Sequence, residues 1–269
     1  MRLRVVASVA NVGLSSAQLE AYERDGFILL EQLFDRGQLA RWSRRFEDLV
    51  LGKVPAPEAL VVMKDVMVVK GAVEPPTPLH AINKILSFED DPVLWEYPSA
   101  EPLLAAVRDL VAPELVTISS NVFNKPPGVD GRHPLHQDLR YFALRPADKI
   151  VGTWTAIDRT TRENGCLAVV PGSHRTQLLE HGNPDWEHVN FGFFAASDVD
   201  PEARVHVEMA PGDTLLFHPL LLHGSGQNRS TGFRRAISTH YAAADCERPD
   251  MPRKRQPVMK PVPGPGATS

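Results

Sequence analysis

Apolar residues early in the chain repeat at the spacing of three and four that places them on one face of a helix. After Asp35 the repeat runs to a stop at Gly52 and comprises Leu39, Trp42, Phe46 and Leu49. A helix is also predicted over residues 15–26, because Ser15 followed by Gln18 has the spacing of a capping box and Gly26 ends the segment. The short apolar run at 27–30 predicts a strand.

The segment from 60 to 112 has a mixed pattern. Residues 60–70 are rich in valine and are interrupted by Lys64 and Asp65, which predicts strands with one solvated face. Residues 79–88 and 99–110 are predicted to form short helices.

After residue 113 short runs of β-branched residues follow one another, separated by turn-forming clusters. The turn clusters are Pro126-Pro127-Gly128, Glu163-Asn164-Gly165, Pro171-Gly172-Ser173 and Pro211-Gly212-Asp213. The predicted strands cover residues 115–123, 150–157, 166–170, 204–209, 213–217 and 236–241. Many short strands without intervening helices favour a sandwich, barrel or jelly roll over a parallel α/β fold.

Composition and charge exclude several classes of protein. The chain has 269 residues, 23% of them charged and 43% hydrophobic, with a net charge of −4. These values are ordinary for a globular protein and provide no concentrated basic surface for nucleic acid. No apolar run approaches the ~20 residues of a membrane span.

The ends of the chain and its two cysteines suggest an intracellular location. Cys166 and Cys246 do not form a disulfide framework, and the apolar stretch in residues 1–10 is too short for an export signal. The last three residues, Ala267-Thr268-Ser269, are not the peroxisomal S-K-L signal, so the cytoplasm is expected. We expect one domain over 1–248, with a helical part at about 15–112 and a β core at about 113–248. The proline-rich tail 249–269 is expected to be disordered.

The first candidate site is the triplet His136-Gln137-Asp138. Two side chains separated by one residue on a strand point to the same face, so both can reach one metal ion. His223, at the end of an apolar run and before a glycine turn, suits the third ligand. Two histidines and one carboxylate leave three octahedral positions open, as in non-haem Fe(II) oxygenases, whereas a zinc-dependent hydrolase is an alternative of another class.

The other histidines are expected to lie outside this cluster. His133 and His218 sit an odd number of positions from the candidates, which on a regular strand turns them to the opposite face. The rest are interpreted as structural or solvated: His174, His181, His188, His206 and His240.

Arg234 is the candidate anchor for a carboxylate of a cosubstrate. It follows His223 by eleven positions, at the start of the next predicted strand. A guanidinium group matches a carboxylate with two parallel hydrogen bonds. Arg235 is adjacent, and on a strand only one of the two can face inward.

Two long blocks resemble the phytanoyl-CoA dioxygenase family, and the resemblance extends over roughly residues 15–247. They contain Asn124-Lys125-Pro126-Pro127, Arg132-His133-Pro134-Leu135-His136-Gln137-Asp138, Gly212-Asp213-Thr214, Leu222-His223-Gly224-Ser225-Gly226 and Gly232-Phe233-Arg234. The resemblance implies a mainly β fold, a double-stranded β-helix (jelly roll, cupin-like) with flanking N-terminal helices.

The resemblance also implies a cofactor set and a role for each matching residue. His136, Asp138 and His223 are expected to hold Fe(II), with 2-oxoglutarate and O2 as cosubstrates. Arg234 and Ser225 are expected to hold the distal carboxylate of 2-oxoglutarate. Further positions expected near the cosubstrate are Lys84, Asn121, Gln137 and Trp154.

The expected reaction is hydroxylation of an aliphatic C–H bond, at C2 of a branched acyl-CoA such as phytanoyl-CoA, a step of fatty acid alpha-oxidation. Basic residues available for the CoA group are Arg132, Arg140, Arg145 and Lys149. A free small metabolite or natural product is the alternative substrate.

Overall fold

Helices and strands alternate in the first part of the chain. The computed structural model describes residues 13–142, 144–247 and 259–265. In chain order the elements are α1 (Ser16–Asp25), β1 (Phe27–Leu30), α2 (Arg36–Val50), β2 (Val61–Lys64), α3 (Val66–Val69), β3 (Ile82–Leu86) and α4 (Glu101–Leu110).

The second part of the chain consists of strands joined by turns and short 3-10 helices. The strands are β4 (Leu115–Lys125), β5 (His133–His136), β6 (Ile150–Ala156), β7 (Leu167–Val169), β8 (His181–Gly182), β9 (Ala195–Ala196), β10 (Val205–Val207), β11 (Thr214–Phe217), β12 (His223–Ser225), β13 (Arg234–Ala243) and β14 (Lys260–Pro261). One of the 3-10 helices, Asp138–Arg140, follows β5 directly.

The strands form two principal antiparallel sheets. The larger sheet has the order β1-β11-β6-β13-β4-β3-β2, with β14 paired to β4. The smaller sheet has the order β10-β7-β12-β5, and β8 and β9 pair separately. Side chains from both principal sheets line one cavity. This confirms the expected mainly β architecture with flanking helices.

The alternation of side chains along β13 separates the two faces of the larger sheet. Arg234, Ser238 and His240 line the cavity, as a period of two requires. Arg235 and Ile237 lie on the other face, where Arg235 Nη1 contacts Glu47 of α2 and Ile237 joins the core beneath the helices.

The core beneath the helices holds the largest buried side chains. Trp42 is fully buried, and its ring packs edge-on against Phe34 and Tyr97 at centroid distances of 5.0 and 5.4 Å. The hydroxyl of Tyr97 donates to Thr153 Oγ1 at 3.1 Å, which ties this core to strand β6. The helices therefore brace the sheet that carries one wall of the cavity.

We expect Trp42→Ala to lower the free energy of unfolding by about 3–5 kcal/mol, because it leaves a large cavity in this aromatic cluster. Urea denaturation measures the loss. Leu19→Ala is the control, because Leu19 is 37% exposed and should change stability by less than about 0.5 kcal/mol. Equal losses in the two variants would contradict the assignment of Trp42 to the core.

Most helices and strands agree with the sequence-based expectations. The capping box of Ser15 and Gln18 begins α1, Gly26 ends it in the left-handed conformation, and the predicted face of α2 is buried. The helix predicted over 79–88 is wrong, because the chain forms a 3-10 turn and then strand β3 between β2 and β4. The prediction of strands over 60–70 is correct only for β2, since helix α3 follows.

The ends of the chain are described only in part. Residues 259–265 differ from the expected disorder, since Lys260 and Pro261 pair with Thr117 and Val116 of β4. The opening stretch 1–10 and the rest of the tail, 249–258 and 266–269, lie outside the described residues. Within the described ranges, no helix combines the length and the apolar character that a membrane crossing requires.

Candidate metal and cosubstrate site

Two histidines and one aspartate converge where the smaller sheet borders the cavity. His136 ends β5, His223 begins β12, and the antiparallel register sets them directly opposite each other. Asp138 Oδ1 lies 3.1 Å from His136 Nε2, and Asp138 Oδ2 lies 3.5 Å from His223 Nε2. One atom from each residue lies within 4.8 Å of the other two, close enough to share one metal ion.

The local geometry of the triplet differs from the expected continuous strand. β5 ends at His136, and Asp138 begins the 3-10 turn that follows. Leu139 N donates to Pro219 O at 2.9 Å, which fixes this turn against the segment that leads to His223. The two triplet side chains therefore meet through a turn rather than through strand alternation.

The hydrogen bonds of the two imidazoles favour a metal ion between them. The Nδ1 atoms of His136 and His223 lie 2.8 and 3.0 Å from the carbonyl oxygens of Pro134 and Leu221. A carbonyl only accepts, so each Nδ1 carries a hydrogen, and in the neutral imidazole Nε2 is then the atom with the lone pair that can bind a metal. Burial lowers the pKa of His223 to about 4, which leaves it neutral near pH 7. Lone pairs that converge in this way need a cation, and the nitrogen and oxygen donors suit Fe(II).

His240, expected to be structural or solvated, is instead a member of the site. Its Nε2 donates to Asp138 Oδ2 at 2.6 Å. Burial alone would raise the pKa of Asp138, but the imidazoles of His223 and His240 outweigh it and hold that pKa well below its ordinary value. The alternation along β13 could have identified His240, because it shares the cavity face with Arg234.

The parity argument is wrong for His133. Its ring stacks on His136 at a centroid distance of 3.9 Å and on Phe193 at 3.8 Å. The register between β5 and β12 shifts after His223, so Ser225 pairs with His133 and the regular alternation is lost. His218, by contrast, bonds Asp148 at 3.1 Å and does not line the cavity.

Arg234 lines the same cavity, and its guanidinium has unused hydrogen-bond donors. It is 3% exposed, and its Nε and Nη1 atoms have no hydrogen-bond partner among the described residues. Its guanidinium lies 5.3 Å from the centre of the Trp154 ring. Burial lowers the pKa of Arg234 to about 10, so the group remains charged near pH 7. A buried cation with unused donors fits the distal carboxylate of 2-oxoglutarate.

Lys84 and Asn121 also line the cavity, as expected. Strand β3 pairs Lys84 with Phe123, and the Lys84 ammonium lies 5.4 Å from the Phe123 ring and 5.3 Å from the Phe193 ring. Burial lowers the pKa of Lys84 to about 8. Asn121 Nδ2 donates to Ser119 Oγ at 3.3 Å, whereas the buried Asn121 Oδ1 has no partner within the described ranges.

Gln137 is the expected site residue that the structure turns away from the cavity. Its Nε2 donates to Leu220 O at 2.9 Å, and its Oε1 accepts from Leu179 N at 2.8 Å. The amide thus links the backbone segments that contain Leu179 and Leu220. Its side chain supports the site rather than facing a cosubstrate.

Ser225 lines the cavity and accepts a hydrogen bond from Lys125, a residue that the sequence did not identify as part of the site. Lys125 Nζ donates to Ser225 Oγ at 2.8 Å. Lys125 is buried at the end of β4 and lines the cavity beside Arg234.

The cavity itself is large and mostly apolar. Its volume is about 830 Å³. Its apolar lining comprises Val61, Val62, Met63, Leu86, Phe123, Phe142, Leu167, Phe191, Phe193, Phe194 and Phe217. Such a lining suits an aliphatic substrate and excludes water from the reacting atoms.

Two facing sheets that hold a His-Asp-His cluster and a buried arginine define a non-haem iron, 2-oxoglutarate-dependent oxygenase. A profile of the family described as Phytanoyl-CoA dioxygenase (PhyH) matches residues 22–236. The chain belongs to this family.

Two relatives are similar to the chain in sequence, and one solved structure is similar to it in fold. A probable phytanoyl-CoA dioxygenase of Caenorhabditis elegans is 45% identical over 240 residues, which cover 86% of this chain and 76% of the relative. The peroxisomal phytanoyl-CoA dioxygenase of Homo sapiens is 41% identical over 238 residues, with coverage of 87% and 70%. EctD from S. alaskensis, solved with 2-oxoglutarate and 5-hydroxyectoine, has a TM-score of 0.69 at 20% identity and covers 94% of this chain and 88% of its own. At that identity EctD shows a shared fold.

Proposed function

We propose that the protein hydroxylates an aliphatic C–H bond at C2 of a branched acyl-CoA such as phytanoyl-CoA, using Fe(II), 2-oxoglutarate and O2. One observation carries the proposal. The His136, Asp138 and His223 cluster lines the same cavity as Arg234, whose Nε and Nη1 have no hydrogen-bond partner among the described residues. The family relatives named for this reaction support the choice of substrate.

His136, Asp138 and His223 would hold the iron and leave three octahedral positions open. Bound iron would couple the oxidative decarboxylation of 2-oxoglutarate to hydroxylation of the substrate. Arg234 and Ser225 would hold the far carboxylate of 2-oxoglutarate, with Trp154 beneath the guanidinium.

The remaining contribution of the chain is orientation and exclusion of water. Lys84 and Asn121 lie on neighbouring strands of the cavity wall, where both can donate to bound oxygen atoms. No side chain has to remove a proton, because the metal and cosubstrate carry the difficult chemistry.

The apolar residues at the mouth of the cavity favour a substrate with an aliphatic acyl chain. Val61, Val62 and Phe191 line the cavity and are also 55%, 42% and 93% exposed, so an apolar surface leads from solvent to the site. Contiguous exposed apolar surface of this kind marks a binding site for apolar groups.

Most of the basic residues expected to contact CoA already form ion pairs or hydrogen bonds within the protein. Arg132 pairs with Asp130, Lys149 pairs with Asp245 at 2.6 Å, and Arg145 donates to backbone carbonyls. Arg140 is exposed, and in the described part of the chain it has no carboxylate partner. We therefore place the CoA phosphates on the Arg140 side of the mouth.

The test is anaerobic reconstitution with Fe(II) and 2-oxoglutarate, followed by measurement of succinate in air. The substrates are phytanoyl-CoA, phytanic acid and an unbranched acyl-CoA. We expect succinate and a 2-hydroxylated product in a ratio near one with phytanoyl-CoA, and at least about tenfold less with the free acid, which lacks the charged CoA contacts. Equal turnover of the free acid would instead favour a free metabolite as substrate, and turnover without O2 would exclude the oxygenase.

We also propose the cytoplasm as the location of the protein. Neither Cys166 nor Cys246 is in a disulfide, as a reducing compartment requires. Fractionation of cells that express the full chain tests this location, and recovery in peroxisomes, as the names of mammalian relatives suggest for those proteins, would contradict it.

A further inference from the structure

Lys125 occupies a position that couples it to the cosubstrate anchor. It is the last residue of β4, and in the antiparallel register its direct partner on β13 is Arg234. Directly opposed residues project to the same face of a sheet, so both cationic side chains enter the cavity. Lys125 is 5% exposed.

The contacts of Lys125 hold its ammonium in one place. Its Nζ donates to Ser225 Oγ at 2.8 Å and to Gly226 O at 2.5 Å. Gly165 lies beside the same carbonyl, because an added Cβ there would lie 2.5 Å from Gly226 O and 3.1 Å from Lys125 Cδ. A side chain at residue 165 would therefore displace the carbonyl that accepts from Lys125.

This arrangement determines what the hydroxyl of Ser225 can do. In its protonated form Lys125 donates and cannot accept, so the Ser225 hydrogen then points away from Lys125. Within the described ranges, Ser225 Oγ donates to no protein atom. The hydroxyl is thus oriented as a donor that faces the cavity.

The acidic groups near Lys125 and Arg234 only partly offset their charges. Asp130 and Asp65 act on Lys125, and Asp158 acts on Arg234, but the effect of burial is larger in both cases. Burial, together with the neighbouring Arg234, holds the pKa of Lys125 well below its ordinary value. A bound carboxylate would compensate both cations.

We propose that Lys125 is a positioning residue for 2-oxoglutarate: its ammonium holds Ser225 as a hydrogen-bond donor to the distal carboxylate and adds its charge to that of Arg234. The inference rests on the proposed function, because it names a further residue for the same cosubstrate. Lys125 Nζ hydrogen-bonds to Ser225 and Gly226 and not to His136, Asp138 or His223, so we expect its effect at the distal end of the cosubstrate.

The test compares two ligands on the full chain with Mn(II) in place of Fe(II). Isothermal titration calorimetry measures the Kd of 2-oxoglutarate and that of oxalate, which chelates the metal but lacks a distal carboxylate. For Lys125→Met we expect the Kd of 2-oxoglutarate to rise by about 10- to 100-fold, as for a lost charge-assisted hydrogen bond, with the Kd of oxalate unchanged. Steady-state assays should show a higher KM for 2-oxoglutarate and a kcat within about twofold of the wild type.

Lys149→Met is the matched control, because this lysine lies at the surface and pairs with Asp245. It should leave both Kd values unchanged. An unchanged Kd for 2-oxoglutarate in Lys125→Met, or equal weakening of both ligands, overturns the inference. If the wild type itself binds no 2-oxoglutarate, the proposed function fails instead.

A double variant tests whether Lys125 acts through Ser225. In the Ser225→Ala background, Lys125→Met should raise the Kd of 2-oxoglutarate by a smaller factor than in the wild type, because the part of its effect that acts through Ser225 is already lost and only the contribution of its charge remains. A full additional effect overturns the route through Ser225. If Lys125→Met does not fold, Lys125→Gln takes its place, since an amide can accept the Ser225 hydrogen and should still weaken 2-oxoglutarate selectively.

Discussion

Replacing Asp138 by alanine should lower succinate formation by about 10³-fold or more, because a metal ligand contributes several kcal/mol to the reaction. The variant leaves two imidazoles and no anionic donor. It also removes the acceptor of the 2.6 Å hydrogen bond from His240. The affinity for the metal should fall together with turnover.

Mn(II) titration and the succinate assay together measure this effect. The matched control is Asp148→Ala, which removes a carboxylate that also bonds a histidine, His218, at 3.1 Å, outside the cavity. The Asp148 side chain is 91% exposed, so its loss should change turnover by less than about twofold. Turnover in Asp138→Ala near that of the control would rule out this cluster as the metal site.

Arg234→Met should raise the KM for 2-oxoglutarate by about 10²-fold, since losing one partner of a buried charge pair costs about 2–5 kcal/mol. The guanidinium is buried, and its Nε and Nη1 are free of partners among the described residues, so both donors are available to the carboxylate. The Kd of Mn(II) should not change, because Arg234 is not one of the residues of the metal cluster.

The adjacent Arg235 provides the control for this prediction. Its Nη1 donates to Ser43 Oγ at 2.8 Å, and its Nε donates to Asn124 Oδ1 at 3.1 Å, on the helix side of the sheet. Arg235→Met should leave the KM for 2-oxoglutarate unchanged and lower the free energy of unfolding by about 1–2 kcal/mol. If both variants raised KM equally, the effect would reflect damage to β13 rather than loss of an anchor.

Residues within single elements behaved as their local patterns predict. The spacing of Leu39, Trp42, Phe46 and Leu49 determines the buried face of α2, because helical periodicity is a property of one segment. Likewise, only one of the adjacent Arg234 and Arg235 faces the cavity.

The secondary structure of short apolar runs is harder to predict from the sequence than that of a long helix. The apolar residues at 82, 85 and 86 have the helical spacing of three and four, yet pairing with β2 and β4 makes this segment a strand. This outcome matters for the site, because β3 presents Lys84 to the cavity.

The amino-acid sequence by itself determined the kind of chemistry: the two histidines, the aspartate and Arg234 follow from residue type, spacing and family resemblance. The tertiary structure alone decided how these groups are supported. It brought His240 to Asp138, stacked His133 on His136, turned Gln137 to the backbone and joined Lys125 to Ser225. Periodicity specifies which residues share a face of one element, whereas register shifts, turns and the pairing of distant strands specify which atoms meet.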